Sequence, residues 1–497
     1  MNKSVLASAI ALAVISTPVA ATASVTPTAD KPNVVIFYTD DLGYGDTATY
    51  GHPIVKTPHL DQLAAEGIKY TQYYAPAPLC SPSRAGMLTG RTPYRTGIRS
   101  WIPDSQNVHL GLGEVTLAHM LQGEGYNTAI TGKLHLNGGA HMKDHPQASD
   151  MGFDHTFVMP SGWPKNAKTE AKKADGSLRH GKIYPDNFWR NGKPVGETDV
   201  FAGELVANEA IDWLTAQQSD KPFFLYVPFS EVHTPIASPQ RYLDMYNEHI
   251  TAFAKQNPDL YHWDWKGQPY RGQGEYYANI TYMDAQMGRI IDKLKAMGEY
   301  DNTIILFSSD NGPVTREARK PWELNMAGET GGLRGRKDNL FEGGIRVPMV
   351  MKFNQTISAS TQSHEPIYGL DIVPTLSEII GFDLPTDRPI DGTSFTGTFA
   401  GKSVERDKPM IWTIDMPYQD DPINEYAVRV GDYKLIVDRA GNNKYLFDIA
   451  NDPYEMYNLI GNAKFNAKAE ELTLAYKAYR QDIENDVILN AKAGKQG

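Results

Sequence analysis

Up to about residue 310, short continuous apolar runs alternate with stretches of helical periodicity. The run Asn33–Tyr38 is typical of a strand buried on both faces of a parallel sheet. The longest helical stripe carries apolar residues from Ile280 to Leu294 and ends at Gly298. The other predicted strands are 128–130, 223–227 and 303–307, and the other predicted helices are about 57–67, 115–121 and 203–217. This alternation predicts an α/β domain with a large, mainly parallel central sheet flanked by helices.

The texture of the chain changes after about residue 400. Its predicted elements are short strands at 411–414, 426–430 and 433–437, with turn signals between them, and a polar helix at about 463–487. We therefore expect a large α/β domain over residues 24–395 and a smaller C-terminal α+β domain over residues 396–497.

The N-terminus has the pattern of a secretory signal. Lys3 precedes an apolar stretch from Val5 to Ile15, and Ala21-Thr22-Ala23 is an A-x-A cleavage site. We expect residues 1–23 to be removed and the mature protein to be periplasmic or secreted. The formal net charge is −11, and it becomes −12 without this segment, which contains one lysine and no acid. We expect no nucleic-acid partner, and the apolar stretch is too short to span a membrane.

Oxygen-bearing side chains follow two of the predicted strands. Asp40 and Asp41 come after the strand that begins at Asn33, and Asp310 and Asn311 come after the strand 303–307. Because sites in open α/β sheets form at the carboxyl ends of strands, we expect these four residues to meet. Each pair alone is equally typical of a turn or a helix cap. Together they predict a site for a hard cation such as Ca²⁺.

Cys80 is the single cysteine in 497 residues, so it has no partner for an intrachain disulfide. Either it fills a small apolar gap or it takes part in chemistry. Ser81 and Pro82 suit the N-cap and the first position of a helix, which predicts a helix that starts there. Cys80 would then lie just ahead of the positive end of that helix, with Arg84 one turn further along.

Basic side chains also follow predicted strands. Lys133 and His135 come after the strand 128–130, and His233 comes after the strand 223–227. Lys337 precedes the segment Phe341–Pro348. A lone lysine or histidine is usually structural or solvated, but the first three residues fall at the strand ends where the acids gather.

The segment Cys80-Ser81-Pro82-Ser83-Arg84, followed by Thr89-Gly90-Arg91, resembles the signature of the formylglycine-dependent (type I) sulfatases of the alkaline-phosphatase-like superfamily. The resemblance spans residues 31 to 350 and continues weakly from Tyr445 to Leu459. The further segments that match this family in the same order are Asp40-Asp41, Gly132-Lys133, His233, Asp310-Asn311 and Lys337 with Glu342-Gly343-Gly344.

The resemblance implies hydrolysis of sulfate esters. A maturation enzyme would oxidise Cys80 to Cα-formylglycine, whose hydrated gem-diol is the nucleophile and lies against a Ca²⁺ ion. The ligands of that ion would be Asp40, Asp41, Asp310 and Asn311, together with residue 80. One departure is Leu134, where the family commonly has an aromatic residue.

The resemblance also implies roles for the basic residues. Arg84 would orient the formylglycine, and Lys133 and Lys337 would bind the sulfuryl oxygens. His135 would assist the formylglycine hydroxyl, and His233 would protonate the departing oxygen.

An acidic protein needs a local positive patch to attract an anionic substrate. The candidates are two basic clusters, Arg84, Arg91, Arg95 and Arg99 in one and Arg334, Arg336 and Lys337 in the other. An equal alternative is that these arginines tie loops to acidic neighbours. The aromatic candidates for stacking on a sugar are Trp101, Trp263, Trp265 and Trp189 with its neighbour Arg190. The stretch Gly97–Pro103 resembles polysaccharide-active bacterial sulfatases, including carrageenan sulfatases. We therefore expect a sulfated polysaccharide substrate, with Arg99, Trp101, Trp263 and Trp265 as contacts.

Two alternatives stay open. Related enzymes use the same formylglycine to hydrolyse phosphonate monoesters or phosphodiesters. A protein whose Cys80 is never oxidised would instead be a Ca²⁺-dependent binding protein for sulfated glycans. A two-zinc phosphatase is disfavoured, because the chain has no Asp-x-x-x-His spacing.

Overall fold

The computed structural model describes residues 31–103, 106–139, 145–159, 185–217, 221–234, 236–258, 264–265, 268–269, 271–314, 327–415, 424–438 and 440–486. The predicted signal segment 1–23 and Trp263 lie outside the described residues. Among the described helices, none combines the length and the apolar character that a bilayer crossing requires.

The described structure contains the following strands and helices, which alternate in the first part of the chain, as predicted. The strands are β1 (Asn33–Thr39), β2 (Ile68–Tyr70), β3 (Tyr73–Tyr74), β4 (Asn127–Lys133), β5 (His155–Met159), β6 (Trp189–Arg190), β7 (Lys193–Pro194), β8 (Phe223–Pro228), β9 (Asp264–Trp265), β10 (Gln268–Pro269), β11 (Thr303–Ser309), β12 (Met349–Lys352), β13 (Thr361–Ser363), β14 (Ile367–Tyr368), β15 (Met410–Asp415), β16 (Asn424–Val430), β17 (Tyr433–Asp438) and β18 (Asn443–Asp448). The helices are α1 (Pro58–Glu66), α2 (Cys80–Thr89), α3 (Pro93–Thr96), α4 (Leu117–Gly123), α5 (Ala202–Ala216), α6 (Gln240–Asp244), α7 (Asn247–Gln256), α8 (Gly272–Met297), α9 (Glu342–Ile345), α10 (Ile372–Ile380) and α11 (Asn466–Glu484).

The central sheet has the strand order β13-β2-β12-β11-β1-β8-β4-β5-β6-β7. Its five middle strands, from β11 to β5, are mutually parallel. Antiparallel pairings occur toward the two edges, at β11–β12, β12–β2, β5–β6 and β6–β7. The sheet is mixed overall, but the predicted parallel arrangement is confirmed for its middle, and β1, β4, β8 and β11, whose ends carry or precede the site residues, all belong to those parallel strands.

Both faces of this sheet are covered, which explains the continuous apolar run of β1. Val34 and Ile36 face one apolar cluster, which contains residues of α2, α4 and α10. Val35 and Phe37 face a second cluster, which contains residues of α1, α5 and α8. Alternate side chains of a strand point to opposite faces, so a strand covered on both sides has no polar positions.

A second, four-stranded antiparallel sheet, in the order β15-β16-β17-β18, forms the C-terminal region. One face packs on α11 through residues such as Leu472 and Ile483. The other face packs on the large domain through Leu79 and Leu340, and Trp412 is fully buried there. The small antiparallel-sheet domain is thus confirmed, while its boundary near residue 395 stays a prediction.

Candidate active site

The carboxyl ends of β1 and β11, which are neighbours in the sheet, bring the four predicted oxygen ligands together. The N–H of Asp41 donates to Oδ1 of Asp310 at 3.1 Å. Asn311 Nδ2 donates to Oδ1 of Asp41 at 2.7 Å. One carboxylate oxygen from each of Asp40, Asp41 and Asp310 and the sulfur of Cys80 all lie within 4.8 Å of one another.

Cys80 reaches this cluster from the first turn of α2. The helix begins at Cys80 with Leu79 as its N-cap, so the prediction that Ser81 caps the helix was wrong. The Ser81 hydroxyl instead accepts the N–H of Ile102 at 3.0 Å. Pro82 is the third helical residue, two positions later than predicted, and is tolerated there because N–H groups of the first turn have no partner within the helix. Burial strongly raises the pKa of the Cys80 thiol, against the opposing effect of Lys133 and Lys337.

Two lysines approach the same group of atoms. Lys133, at the end of β4, places its Nζ 2.6 Å from Oδ2 of Asp40. Lys337 Nζ lies 2.6 Å from Oδ1 of Asp41 and 3.4 Å from the sulfur of Cys80. Burial by itself raises the pKa of Asp40, but the surrounding positive charges, above all that of Lys133, hold it well below its usual range. Lys337 has the same effect on the pKa of Asp41. The cluster therefore combines ionised carboxylates with two ammonium groups.

Arg84 is fully buried beneath the cluster. Its guanidinium donates to Oδ2 of Asp310 through Nε at 3.0 Å and through the terminal nitrogen at 2.7 Å. A third bond, to the carbonyl of Lys133 at 2.8 Å, ties α2 to the end of β4. Burial and the charge of Asp40 raise the pKa of Asp310 to about 7, against the effect of Arg84.

The two histidines have different contacts. His233 Nε2 is 3.7 Å from Oδ2 of Asp41, and its Nδ1 is 2.6 Å from the carbonyl of Thr234. A ring nitrogen facing a carbonyl carries the proton, so Nδ1 is the protonated nitrogen of neutral His233. Desolvation lowers the pKa of His233 to about 4. His135 Nε2 lies 3.0 Å from the carbonyl of Ile102, and burial holds its pKa well below its usual value.

The residues present fit a hard divalent cation. Asn311 Oδ1 is buried and has no hydrogen-bond partner among the described residues, although the Nδ2 of the same amide donates twice. A free buried acceptor beside three carboxylates is the donor set that Ca²⁺ prefers.

For Arg91 and Arg95 the structure supports the alternative interpretation, in which these arginines form ion pairs instead of a positive patch for the substrate. Arg91 and Arg95 are fully buried, and each pairs with Asp486 of the C-terminal region. Arg334 lies over the ring of Phe341, and Arg336 donates to the carbonyl of Val314. These guanidinium groups hold segments of the chain together. Within the two basic clusters, the contacts of Arg84 with Asp310 and of Lys337 with Asp41 reach the cluster of carboxylates.

The predicted sugar contacts differ in their positions. Trp101 is 40% exposed and precedes Ile102, the residue that contacts both Ser81 and His135. Arg99 stacks on the ring of Tyr94, with 3.9 Å between the guanidinium carbon and the ring centre. Trp265 lies in β9, and its side chain is outside the described structure. The partly buried Trp189 packs against the core, and Arg190 pairs with Glu209.

Sequence reasoning missed the groups that hold the acidic loop in place. Ser309 Oγ accepts the N–H of Leu42 at 3.0 Å, and the Glu231 carbonyl accepts the N–H of Asp40 at 3.0 Å. The position of Ser309, at the end of a strand and directly before Asp310, is a sequence signal that could have predicted the hydrogen bond to Leu42. The bond between Glu231 and Asp40 is a main-chain contact, for which the sequence carries no signal.

Known proteins are similar to this chain over most of its length. The family model described as Sulfatase matches residues 32–382. This chain belongs to the sulfatase family. A second model, N-sulphoglucosamine sulphohydrolase, C-terminal, matches residues 332–482 of the sulfatase and overlaps the first. The protein is therefore an enzyme that hydrolyses sulfate esters, as the resemblance implied.

Individual relatives agree with this assignment. Arylsulfatase A of Homo sapiens is 30% identical over 87% of this sulfatase and 84% of its own length. The N-acetylgalactosamine-6-O-sulfatase of Bacteroides thetaiotaomicron is 27% identical over 86% of the chain and 89% of its own length. The crystal structure of Ps i-CgsB in complex with k-i-k-neocarrahexaose superposes with a TM-score of 0.74 at 25% identity, covering 90% of this chain and 93% of that one.

The environment of Cys80 predicts an unreactive thiol in protein that retains the cysteine. Because burial raises the pKa of this thiol, little thiolate is present at pH 8. We expect a disulfide reagent such as Ellman's reagent to modify the folded protein at least about 100-fold more slowly than a free cysteine. Unfolding in guanidinium should restore full reactivity and serves as the control. Rapid stoichiometric labelling of the folded protein would contradict this picture of the site.

Proposed function

We propose that this sulfatase removes sulfate from a sulfated polysaccharide or its oligosaccharides, a carrageenan-like galactan among them. The proposal further assigns formylglycine at position 80 and a Ca²⁺ ion beside it. The observation that carries it is the convergence of Cys80, three carboxylates and Lys337 on one small volume. Such a site suits a substrate that has a compact anionic head group.

Oxidation of residue 80 would replace a poorly nucleophilic thiol with a hydroxyl nucleophile. The buried thiol is protonated and therefore a weak nucleophile. As hydrated formylglycine, residue 80 supplies a hydroxyl for attack on sulfur, and its second hydroxyl allows sulfate to be expelled as the aldehyde reforms. Arg84 lies one turn further along the same helix and fixes the direction from which residue 80 approaches.

The two lysines are proposed to stabilise the negative charge on the sulfuryl oxygens. Ca²⁺, when bound by Asp40, Asp41, Asp310 and Asn311, supplies a Lewis acid for one sulfuryl oxygen. Lys133 and Lys337 extend the positive region on the side of residue 80. Preorganised charge of this kind is often the largest contribution to catalysis.

His233 is the proposed proton donor to the leaving oxygen, and His135 is proposed to assist the hydroxyl of residue 80. Nδ1 of His233 faces the carbonyl of Thr234, so a proton gained by the ring goes to Nε2. A bound sulfate adds negative charge beside the ring and raises its pKa, which favours that protonation. A positioned acid of this type contributes about 10²–10⁴-fold.

Three features support a glycan substrate. The relatives include an enzyme named for N-acetylgalactosamine-6-O-sulfate and a structure bound to k-i-k-neocarrahexaose. Trp101 presents an exposed aromatic surface next to a residue that contacts Ser81 and His135. The predicted signal segment 1–23 supports a periplasmic or secreted enzyme, where a polysaccharide is accessible. A formylglycine-generating enzyme is the partner that the proposal requires.

The first prediction concerns residue 80. In protein produced with a formylglycine-generating enzyme, mass spectrometry of the Cys80 peptide should detect an aldehyde in place of the thiol. Cys80→Ala should lower sulfate release from an aryl sulfate by at least about 10³-fold, as expected on loss of a nucleophile. Circular dichroism of this variant controls for folding.

Other outcomes of this experiment favour the alternatives. Faster turnover of an aryl phosphonate monoester or a phosphodiester than of the sulfate would favour the related hydrolase. A retained thiol, together with binding of sulfated glycans and no turnover, would favour a binding protein. Undiminished sulfate release by Cys80→Ala would exclude the proposed nucleophile.

The second prediction concerns the cation. After treatment with EDTA, addition of Ca²⁺ should raise the melting temperature, with a stabilisation of about 2.7 kcal/mol at a concentration 100 times the Kd. Asp41→Asn should abolish most of this Ca²⁺-dependent shift. Asp46→Asn is the matched control, because Asp46 is buried in the same loop but bonds to Gly43 and Tyr276. An equal shift in both variants would contradict the assignment.

The third prediction concerns Trp101. Loss of a stacking aromatic costs about 0.5–1.5 kcal/mol, so Trp101→Ala should lower kcat/KM for a sulfated oligosaccharide by about 3- to 10-fold. A small aryl sulfate does not reach beyond the sulfate site, so its turnover should be unchanged. Leu474→Ala, at an exposed apolar residue on α11, is the control. Equal losses on both substrates would argue against a glycan contact.

A further inference from the structure

We propose that Lys434, on β17 of the C-terminal sheet, is a positioning residue for Lys337. Through Lys434, the C-terminal sheet helps to fix the position of an active-site side chain. The inference rests on the proposed function, because it takes Lys337 to be a contact of the sulfuryl group. It adds a residue that lies outside the acidic cluster and outside every motif of the sequence.

Lys434 is fully buried and points into the segment that follows Lys337. Its Nζ donates to the carbonyl of Leu340 at 3.1 Å and to Oε1 of Glu342 at 2.7 Å. It also forms an ion pair with Oε1 of Glu455 at 2.7 Å. Oε2 of Glu455 accepts the N–H of Glu342 at 2.7 Å, so the C-terminal region contacts Glu342 at both its side chain and its backbone.

The segment from Arg334 to Gly344 transmits this contact to the site. It is closed on itself by a bond from the N–H of Gly343 to the carbonyl of Arg334 at 2.7 Å. Its turns leave no room for a side chain, since a Cβ on Gly344 would lie 2.1 Å from the carbonyl oxygen of Asn339. A displacement at Glu342 therefore moves the whole segment, including Lys337.

The same segment is attached to both halves of the acidic cluster. The N–H of Gly312, directly after Asn311, donates to the carbonyl of Gly344 at 2.9 Å. The N–H of Asp338 donates to the carbonyl of Pro78, two residues before Cys80, at 3.2 Å. Lys337 directly precedes the attachment at Asp338, and Lys434 contacts Leu340 and Glu342, which lie between the two attachments.

The opposite oxygen of Glu342 has its own partners. Oε2 accepts the hydroxyl of Tyr74 at 2.7 Å and lies 3.4 Å from Arg346. Burial by itself raises the pKa of Glu342, but the nearby positive charges, first that of Lys434, lower it to about 2. Glu342 is therefore a fully bonded carboxylate, and removal of Lys434 would leave its buried charge without its principal partner.

The test is a double-mutant cycle in the matured enzyme with Ca²⁺, using an aryl sulfate. If Lys434 acts through Lys337, Lys434→Met should lower kcat about tenfold in the native background. In the Lys337→Ala background, the same change should lower kcat less than about twofold, because the group it positions is gone. KM should change little in either background.

A purely structural role gives a different result. Lys434→Met would then lower kcat by the same factor in both backgrounds, or not at all, and either result overturns the inference. If Lys434→Met folds poorly, the double variant Lys434→Met/Glu455→Gln removes one buried charge of each sign and is measured in the same cycle. Asp486→Asn is the control, because it breaks buried ion pairs with Arg91 and Arg95 at another contact of the C-terminal region. We expect it to lower the melting temperature and to show no coupling to Lys337.

The cycle separates this inference from the proposed function. If Lys337→Ala lowers sulfate release and Lys434→Met shows no coupling to it, only the positioning role of Lys434 fails. If Lys337→Ala leaves sulfate release unchanged, the proposed role of Lys337 fails, and the inference fails with it.

Discussion

Three carboxylates lie close together in a buried position at the carboxyl ends of β1 and β11. Their mutual repulsion is the main electrostatic cost of the site, and the positive side chains around them offset it. Asp40, Asp41 and Asp310 repel one another, and burial strengthens the repulsion because little water screens it. The ammonium groups of Lys133 and Lys337 and the guanidinium of Arg84 offset part of this negative charge. In the proposed function a divalent cation balances the remaining charge, and the buried Oδ1 of Asn311, which accepts no hydrogen bond from the described residues, would be one of its ligands.

The fold follows from the sequence where a single physical rule decides the outcome. β1 is apolar from Val34 to Tyr38 because both faces of the sheet are covered, and helix α1 lies between Thr57 and Gly67, as its end signals indicate. The meeting of Asp40 with Asp310 was predictable for a similar reason, since the carboxyl ends of neighbouring parallel strands share an edge.

Other features depend on contacts between distant parts of the chain. The residues Asp41 and His135 have φ angles of 62° and 53°, a left-handed conformation that local preference disfavours for both. Their surroundings impose it, as is common at functional sites. Arg91 and Arg95 read as a positive patch along the chain, but their acidic partner Asp486 lies far away in sequence. The contact between Lys434 and Glu342 likewise joins two domains and has no signature in either segment.

The central position of β1 has a consequence for how this chain is made. It pairs with β8 on one side and β11 on the other, so Val34 lies beside Phe224 and Ile304, which a ribosome adds much later. The backbone N–H and C=O groups along both edges of β1 thus have no partner strand until β8 and β11 have been synthesised. Such long-range pairing slows folding and leaves intermediates with exposed apolar surface, which are prone to aggregation. We therefore expect the newly made chain to bind chaperones.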